Sequence, residues 1–87
     1  MTTHAQFTAG LVRWIGERLA PPGVRVHADT LLFAEGIISS IKVLELIAWT
    51  EREIGRSIAD AEIRLDNFRS VRRIADVFVR EETHATR

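Results

Sequence analysis

The sequence predicts an all-α fold with three main helices, one short helix and a long first loop. Apolar residues recur at three- and four-residue steps in three separate stretches, a pattern typical of amphipathic helices. Proline and glycine separate these stretches, at residues 21–23 and at Gly55. Alternation typical of a strand occurs at residues 24–27, but no partner strand is evident. The pattern therefore favours a helical bundle over a fold that contains a sheet.

The length of the chain predicts a single small domain. Its 87 residues can bury a modest core but cannot enclose a deep catalytic cleft. We expect residues 1–87 to form one domain, with an ordered core at about residues 5–80 and a polar tail at residues 81–87.

Charge and cysteine content exclude several functional classes. Twelve Lys and Arg residues balance twelve Asp and Glu residues, so no basic surface for nucleic acid or an anionic membrane is expected. The absence of cysteine excludes disulfides, thiolate zinc sites and a cysteine nucleophile. No segment approaches the length of a membrane span, and the N-terminal residues lack the pattern of a secretory signal. We expect a monomeric cytoplasmic protein.

The first helix is predicted over residues 4–20. Its apolar stripe consists of Phe7, Leu11, Trp14, Ile15 and Leu19. Thr2 or Thr3 can cap its start, and the prolines at residues 21–22 end it, because a residue before proline is pushed out of helical geometry. The following residues 24–38 are too apolar for a free linker. We expect an ordered loop packed over the bundle, anchored by Leu32 and Phe33.

The second helix is predicted over residues 39–54. One arc of this helix should face the interior, and it contains Val43, Leu46, Ile47, Thr50 and Ile54. Ile41, Ala48 and Trp49 fall on the opposite side, among the charged residues Lys42, Glu45 and Arg52. Exposed apolar groups on a charged face suggest a docking surface. The alternative is that the loop covers Trp49.

The last third of the chain predicts one short helix and one longer helix. Asp60 is placed to cap a very short helix within residues 57–63. Ser70 is placed to cap the last helix, whose stripe consists of Val71, Ile74, Ala75 and Phe78.

Two adjacent serines, Ser39 and Ser40, stand at the predicted start of the second helix. A helix start leaves backbone N–H groups unpaired and carries partial positive charge, so it tolerates an attached phosphate. We interpret Ser40 as a hydroxyl that is modified. Serine is also a preferred N-cap, so a purely structural cap is the alternative.

Catalysis by the chain itself is not expected. No Gly-x-Ser-x-Gly elbow surrounds Ser39 or Ser40, and no phosphate-binding glycine loop or dinucleotide motif is present. The three histidines, His4, His27 and His84, have no neighbours at metal-ligand spacing. We therefore predict neither an enzyme nor a metal site.

Residues 32–41, which read LFAEGIISSI, resemble the modification motif of acyl and peptidyl carrier proteins, the phosphopantetheine-binding domains of fatty acid, polyketide and nonribosomal peptide pathways. Residues 67–71, NFRSV, resemble the entry to the last helix of that family. The resemblance extends over about residues 7–79. It implies a four-helix carrier-protein bundle, with three main helices, one short helix and a long first loop.

The resemblance implies that Ser40 receives a phosphopantetheine arm from coenzyme A, added by a separate phosphopantetheinyl transferase. The family usually has aspartate before the modified serine, and this chain has Ser39 there. Ser39 is thus a second candidate for attachment, although register with Gly36 favours Ser40 and leaves Ser39 as the helix cap. Because Ser and Asp cap helices comparably well, the exchange can be mild for the fold.

The resemblance also implies a partner-binding face. The positions that match the family's docking surface are Ile41, Lys42, Glu45, Ala48, Trp49 and Arg52. This face is mixed in charge, whereas fatty acid carriers are strongly acidic there, so we expect a free-standing carrier of acyl or aminoacyl thioesters in a specialised pathway. Its partners would be the transferase, a loading ligase or adenylation enzyme, and downstream acyl-accepting enzymes. The alternative is an unmodified carrier-like interaction module that uses the Ile41/Trp49 face.

Overall fold

The computed structural model describes residues 2–79. In this range the chain forms three α-helices, α1 (His4–Arg18), α2 (Val43–Ile54) and α3 (Val71–Phe78). Two 3₁₀ turns, Asp60–Glu62 and Leu65–Phe68, lie between α2 and α3. No strand occurs in the described range, and residues 24–27 are irregular. The predicted all-α class is confirmed, while the tail predicted at residues 81–87 lies outside the described residues.

Helix α1 begins at a reciprocal cap. The backbone N–H of Gln6 donates to Thr3 Oγ1 at 3.1 Å, and the N–H of Thr3 donates back to Gln6 Oε1 at 3.0 Å. The helix ends at Arg18, two residues before the predicted end, and Leu19 follows as its C-cap. Of the five residues of the predicted stripe, Phe7, Leu11, Ile15 and Leu19 are buried, and Trp14 is half-buried.

Helix α2 begins later than predicted, at Val43 instead of Ser39, and its N-cap is Lys42 and not Ser39 as the sequence predicted. Residues 40–42 form a turn in which the N–H of Leu44 bonds to the carbonyl of Ile41 at 3.2 Å, a 3₁₀-type spacing. The tighter first turn explains the difference, because apolar periodicity does not separate a 3₁₀ turn from the first turn of an α-helix. The end is as predicted, with Gly55 in the left-handed region at φ 73°.

The long loop is ordered by contacts with the start of α3. The N–H of Leu32 donates to the carbonyl of Arg69 at 2.8 Å, and the N–H of Arg72 donates to the carbonyl of Ala28 at 2.9 Å. The side chain of Leu32 is fully buried and that of Phe33 is half-buried. The predicted anchoring of the loop by these two residues is confirmed.

No α-helix forms at residues 57–63, where the sequence predicted a short helix; a three-residue 3₁₀ turn, Asp60–Glu62, lies there, and the second turn, Leu65–Phe68, follows it. Asp60 is the first residue of the first turn and does not cap it with its side chain. Instead the N–H of Ala59 donates to Glu62 Oε1 at 3.2 Å. Ser70 caps α3 as predicted, because its Oγ accepts a hydrogen bond from the N–H of Arg73 at 3.1 Å.

A single apolar core joins the three helices and the loop. Helix α1 packs against α3, and the buried aromatic rings of Phe68 and Phe78 lie 5.3 Å apart. Helix α2 adds Leu46, Ile47 and Thr50, and the hydroxyl of Thr50 donates to the carbonyl of Leu46 at 2.9 Å. The loop adds Leu32, Ile37 and Ile38.

Candidate functional site

The candidate site is the serine turn, residues 39–42, between the long loop and α2. Ser39 and Ser40 are both exposed. Ser39 Oγ accepts a hydrogen bond from the backbone N–H of Lys42 at 3.3 Å, and the carbonyl of Ser39 accepts one from the N–H of Val43 at 3.1 Å. Ser40 Oγ makes no hydrogen bond to any residue of the described range 2–79. The two hydroxyls therefore differ, since one closes the turn and the other faces solvent unpaired.

The loop before the serine turn determines which side chains face outward. The N–H groups of Ile37 and Ile38 both donate to the carbonyl of Leu32, at 2.9 and 3.1 Å, and both isoleucines are buried. This closure passes through Gly36, whose φ of 75° lies in the left-handed region that favours glycine. The two isoleucines hold the loop in the core, so the serines that follow them emerge at the surface.

Lys42 differs from its predicted role on the docking face. Its side chain is half-buried, and Nζ donates a hydrogen bond to the carbonyl oxygen of Leu19 at 3.1 Å. The ammonium group therefore contacts the C-terminal end of α1. The sequence prediction treated Lys42 as an outward cation because helical periodicity does not report a hydrogen bond between distant elements.

The predicted exposure of Trp49 is wrong. Its side chain is only 8% exposed, and its ring lies 5.4 Å from that of Phe7 and 5.7 Å from that of Trp14. A Cβ added at Gly10 would lie 3.7 Å from the indole ring, so α1 passes close to it. The residues shown to contact Trp49 thus belong to α1, whereas the sequence alternative placed the loop over it. Phe7, Gly10 and Trp14 lie at helical spacing on α1, and this pattern in the sequence could have indicated the contact.

Leu44 is a surface residue that the sequence reasoning missed. Its side chain is 67% exposed and that of Ile41 is 77% exposed. Together with the exposed Ala48 they follow the spacing i, i+3, i+7, and we call these three residues the apolar strip. The predicted positions Glu45 and Arg52 are exposed on the same helix. The same spacing could have identified Leu44 from the sequence.

Charge near the apolar strip is balanced, with one carboxylate and one guanidinium at Glu45 and Arg52. An ion pair links the loop to α3, where Arg72 Nη2 donates to Asp29 Oδ2 at 3.0 Å. The hydrogen bond from Arg72 holds the pKa of Asp29 below its usual value. In the second 3₁₀ turn the pKa of Asp66 is lowered, chiefly by its hydrogen bond from Arg69.

A surface groove and a histidine–aspartate contact are formed by residues outside the serine turn. An open groove of about 360 Å³ is lined by Leu31, Phe33, Ala34, Leu65, Asp66 and Arg69. His4 Nε2 lies 2.7 Å from Asp76 Oδ1, and His84 lies outside the described residues. Among residues 2–79, no three potential metal-binding side chains are grouped, and no helix has both the length and the apolar character needed to cross a bilayer.

Comparison with known proteins leaves the family of the chain open. No model of a known protein family matches the sequence. No curated protein matches it significantly.

Proposed function

We propose that this chain is a free-standing carrier protein whose Ser40 hydroxyl accepts a phosphopantetheine arm from coenzyme A. The observation that carries the proposal is the difference between the two serines. Ser40 Oγ is exposed and without a hydrogen bond in the described range, while Ser39 Oγ is engaged by the N–H of Lys42. An attached group at Ser40 would displace no side-chain hydrogen bond among residues 2–79.

The residues present fit such a group. Ser40 lies in the turn that leads into α2, and an exposed oxygen there has room for a phosphodiester and a flexible chain. In the transfer, Ser40 Oγ would form a new bond to the phosphorus of coenzyme A that carries the pantetheine. The bond from that phosphorus to the adenosine-bisphosphate half would break, and the serine proton would pass to a base on the transferase. The terminal thiol of the arm would supply the thioester that holds an acyl or aminoacyl group.

The chain's own part is to present the arm and to bind its partners. The apolar strip begins immediately after Ser40, so an enzyme that contacts Ile41 and Leu44 would also face the attachment oxygen. A few exposed apolar side chains with charged residues around them suit small and transient interfaces. The partners would be the transferase, a loading ligase or adenylation enzyme, and acyl-accepting enzymes. Under this proposal the protein would act as a cytoplasmic monomer, and the 3₁₀ turns would take the place of the third helix of the four-helix carrier bundle.

The test is transfer of the arm in vitro. The protein is incubated with coenzyme A, magnesium and a broad-specificity phosphopantetheinyl transferase, and its intact mass is measured. We expect the mass to increase by one arm, S40A to abolish the increase, and S39A to retain it. S57A, which removes another exposed serine, is the matched control and should be modified like the wild type. If S39A alone prevents the mass increase, the arm is attached at Ser39 and not at Ser40.

A second candidate is an unmodified interaction module that uses the apolar strip. The serine at position 39, where the family usually has aspartate, favours this alternative. It predicts that protein purified from its native host carries no added mass and that S40A binds its partner normally. Intact-mass measurement of the native protein therefore separates the two candidates.

A further inference from the structure

Lys42 is the only lysine among the twelve basic residues of the chain. Arginine is the usual choice for planar, two-point contacts, whereas lysine carries a compact charge with three donors on a flexible stem. The half-buried Lys42 side chain uses that geometry to reach a single backbone oxygen, the carbonyl of Leu19, at 3.1 Å.

The C-terminal end of α1 explains why a donor is needed there. The N–H groups of Leu19 and Ala20 both bond to the carbonyl of Ile15, and the next two positions are prolines, which have no N–H. The last carbonyls of a helix lack intrahelical donors and carry partial negative charge. A lysine ammonium stabilises this end of α1 in two ways. It donates a hydrogen bond to a carbonyl that lacks an intrahelical donor, and it places positive charge at the negative end of the helix.

The same residue also closes the serine turn. Its backbone N–H donates to Ser39 Oγ at 3.3 Å, while its side chain donates to Leu19. Lys42 therefore binds Ser39 through its backbone and Leu19 through its side chain. Leu19 lies 23 positions earlier in the chain, at the end of α1. Only Ile41 separates Lys42 from Ser40.

We propose that Lys42 is a positioning residue, which fixes the serine turn on the C-terminal end of α1 and so presents the Ser40 hydroxyl in one orientation. The role at Ser40 rests on the proposed carrier function, whereas the connection to α1 does not. The competing role is the one predicted from the sequence, in which Lys42 belongs to the docking face, where its charge would contact a partner directly. The two roles differ in what they predict for the isolated protein and for salt dependence.

The first experiment measures amide hydrogen exchange in the unmodified protein by NMR. K42M keeps the apolar stem and removes the donor, and K42R keeps a donor. We expect the amides of residues 42–44 to exchange about fivefold faster or more in K42M, with K42R closer to the wild type. The amide of Leu11 in the core of α1 should be unchanged, because general destabilisation would accelerate all protected amides together. R13M, which removes an exposed cation on α1, is the matched control.

The second experiment measures the transferase rate on the same variants at low and high salt. A positioning role predicts that K42M lowers the rate about fivefold by the same ratio at both salt concentrations, because the contact is within the protein and partly buried. A docking cation predicts a loss that disappears at high salt. R13M should be modified at the rate of the wild type.

The outcomes separate the two proposals. Unchanged exchange of residues 42–44 in K42M would overturn the connection to α1. Faster exchange with an unchanged transferase rate, or a rate loss abolished by salt, would overturn the positioning of Ser40. A wild-type protein that is never modified would refute the carrier function, and the exchange experiment would still decide the role of Lys42 in the turn.

Discussion

Trp49 of α2 stacks on Trp14 of α1, with ring centroids 5.7 Å apart and an angle of 24° between the ring planes. Phe7 meets the same indole edge-on at 5.4 Å. This aromatic contact places the C-terminal half of α2 against α1 and removes Trp49 from the surface. The apolar residues that remain exposed on α2 and the turn before it are those of the apolar strip, Ile41, Leu44 and Ala48.

Because of the aromatic contact, we expect Trp49 to contribute to the stability of the fold. Replacing a buried aromatic side chain by alanine removes its contacts and leaves a cavity, so W49A should lower the free energy of unfolding by about 3–5 kcal/mol. Urea denaturation followed by circular dichroism measures the change. W49F keeps an aromatic ring and should lose less free energy of unfolding than W49A. It can therefore be measured even if W49A does not fold. L44A is the control on the same helix and should change stability by less than about 0.5 kcal/mol.

The apolar strip should control how fast partner enzymes act on the protein. Exchange of Ile41 or Leu44 for serine removes exposed apolar surface next to Ser40, and each should lower kcat/KM for arm transfer by roughly tenfold at nearly unchanged stability. Rates of mass gain with a transferase give this ratio. L65S, which alters another exposed leucine, should be modified normally. Equal rates for L44S and L65S would contradict a docking role for the strip.

Two glycines should respond in opposite directions to alanine. Gly36 has a φ of 75°, which an alanine side chain disfavours, so G36A should destabilise the protein by about 1–2 kcal/mol. Gly16 lies in α1 with open space around its Cβ position, so G16A should stabilise the protein by up to about 1 kcal/mol. Urea unfolding of both variants measures the changes. A stabilised G36A would mean that the left-handed turn before the serines is not required.

The ion pair between Asp29 and Arg72 should be detectable as a lowered pKa of the Asp29 carboxyl group. Because the pKa of Asp29 is lowered in the folded state, its contribution to stability is present above the pKa of the unfolded chain and is lost as the pH falls through the folded value. NMR titration should therefore show Asp29 protonating below the usual aspartate value of 3.8. R72M should raise the pKa of Asp29 toward that value.

A second arginine provides the control for this titration. R69M should raise the pKa of Asp66 and leave that of Asp29 unchanged, since Arg69 is the main hydrogen-bond donor to Asp66. A titration of Asp29 that is the same with and without Arg72 would show that the ion pair does not persist in solution.

Local features of the fold were readable from the amino-acid sequence. Thr3 and Ser70 cap the helices at which they were expected, Gly55 ends α2, and the apolar stripe of α1 is buried except for the half-buried Trp14. These features depend on side chains and backbone within about one helical turn, so a local pattern contains the necessary information. The solvent-facing position of Ser40 also agrees with its place after the buried Ile37 and Ile38.

Contacts between distant elements were decided only by the tertiary structure. Periodicity indicates which side of α2 is apolar, but the position of α1 decides that Trp49 is covered and that Leu44 is not. Likewise, no local pattern connects Lys42 with the carbonyl of Leu19, because that hydrogen bond requires the end of α1 and the serine turn to meet. The sequence by itself determined the capped starts of α1 and α3, the end of α2 and the candidate hydroxyl. Packing between helices determined the surface around that hydroxyl, since burial depends on what lies opposite a side chain.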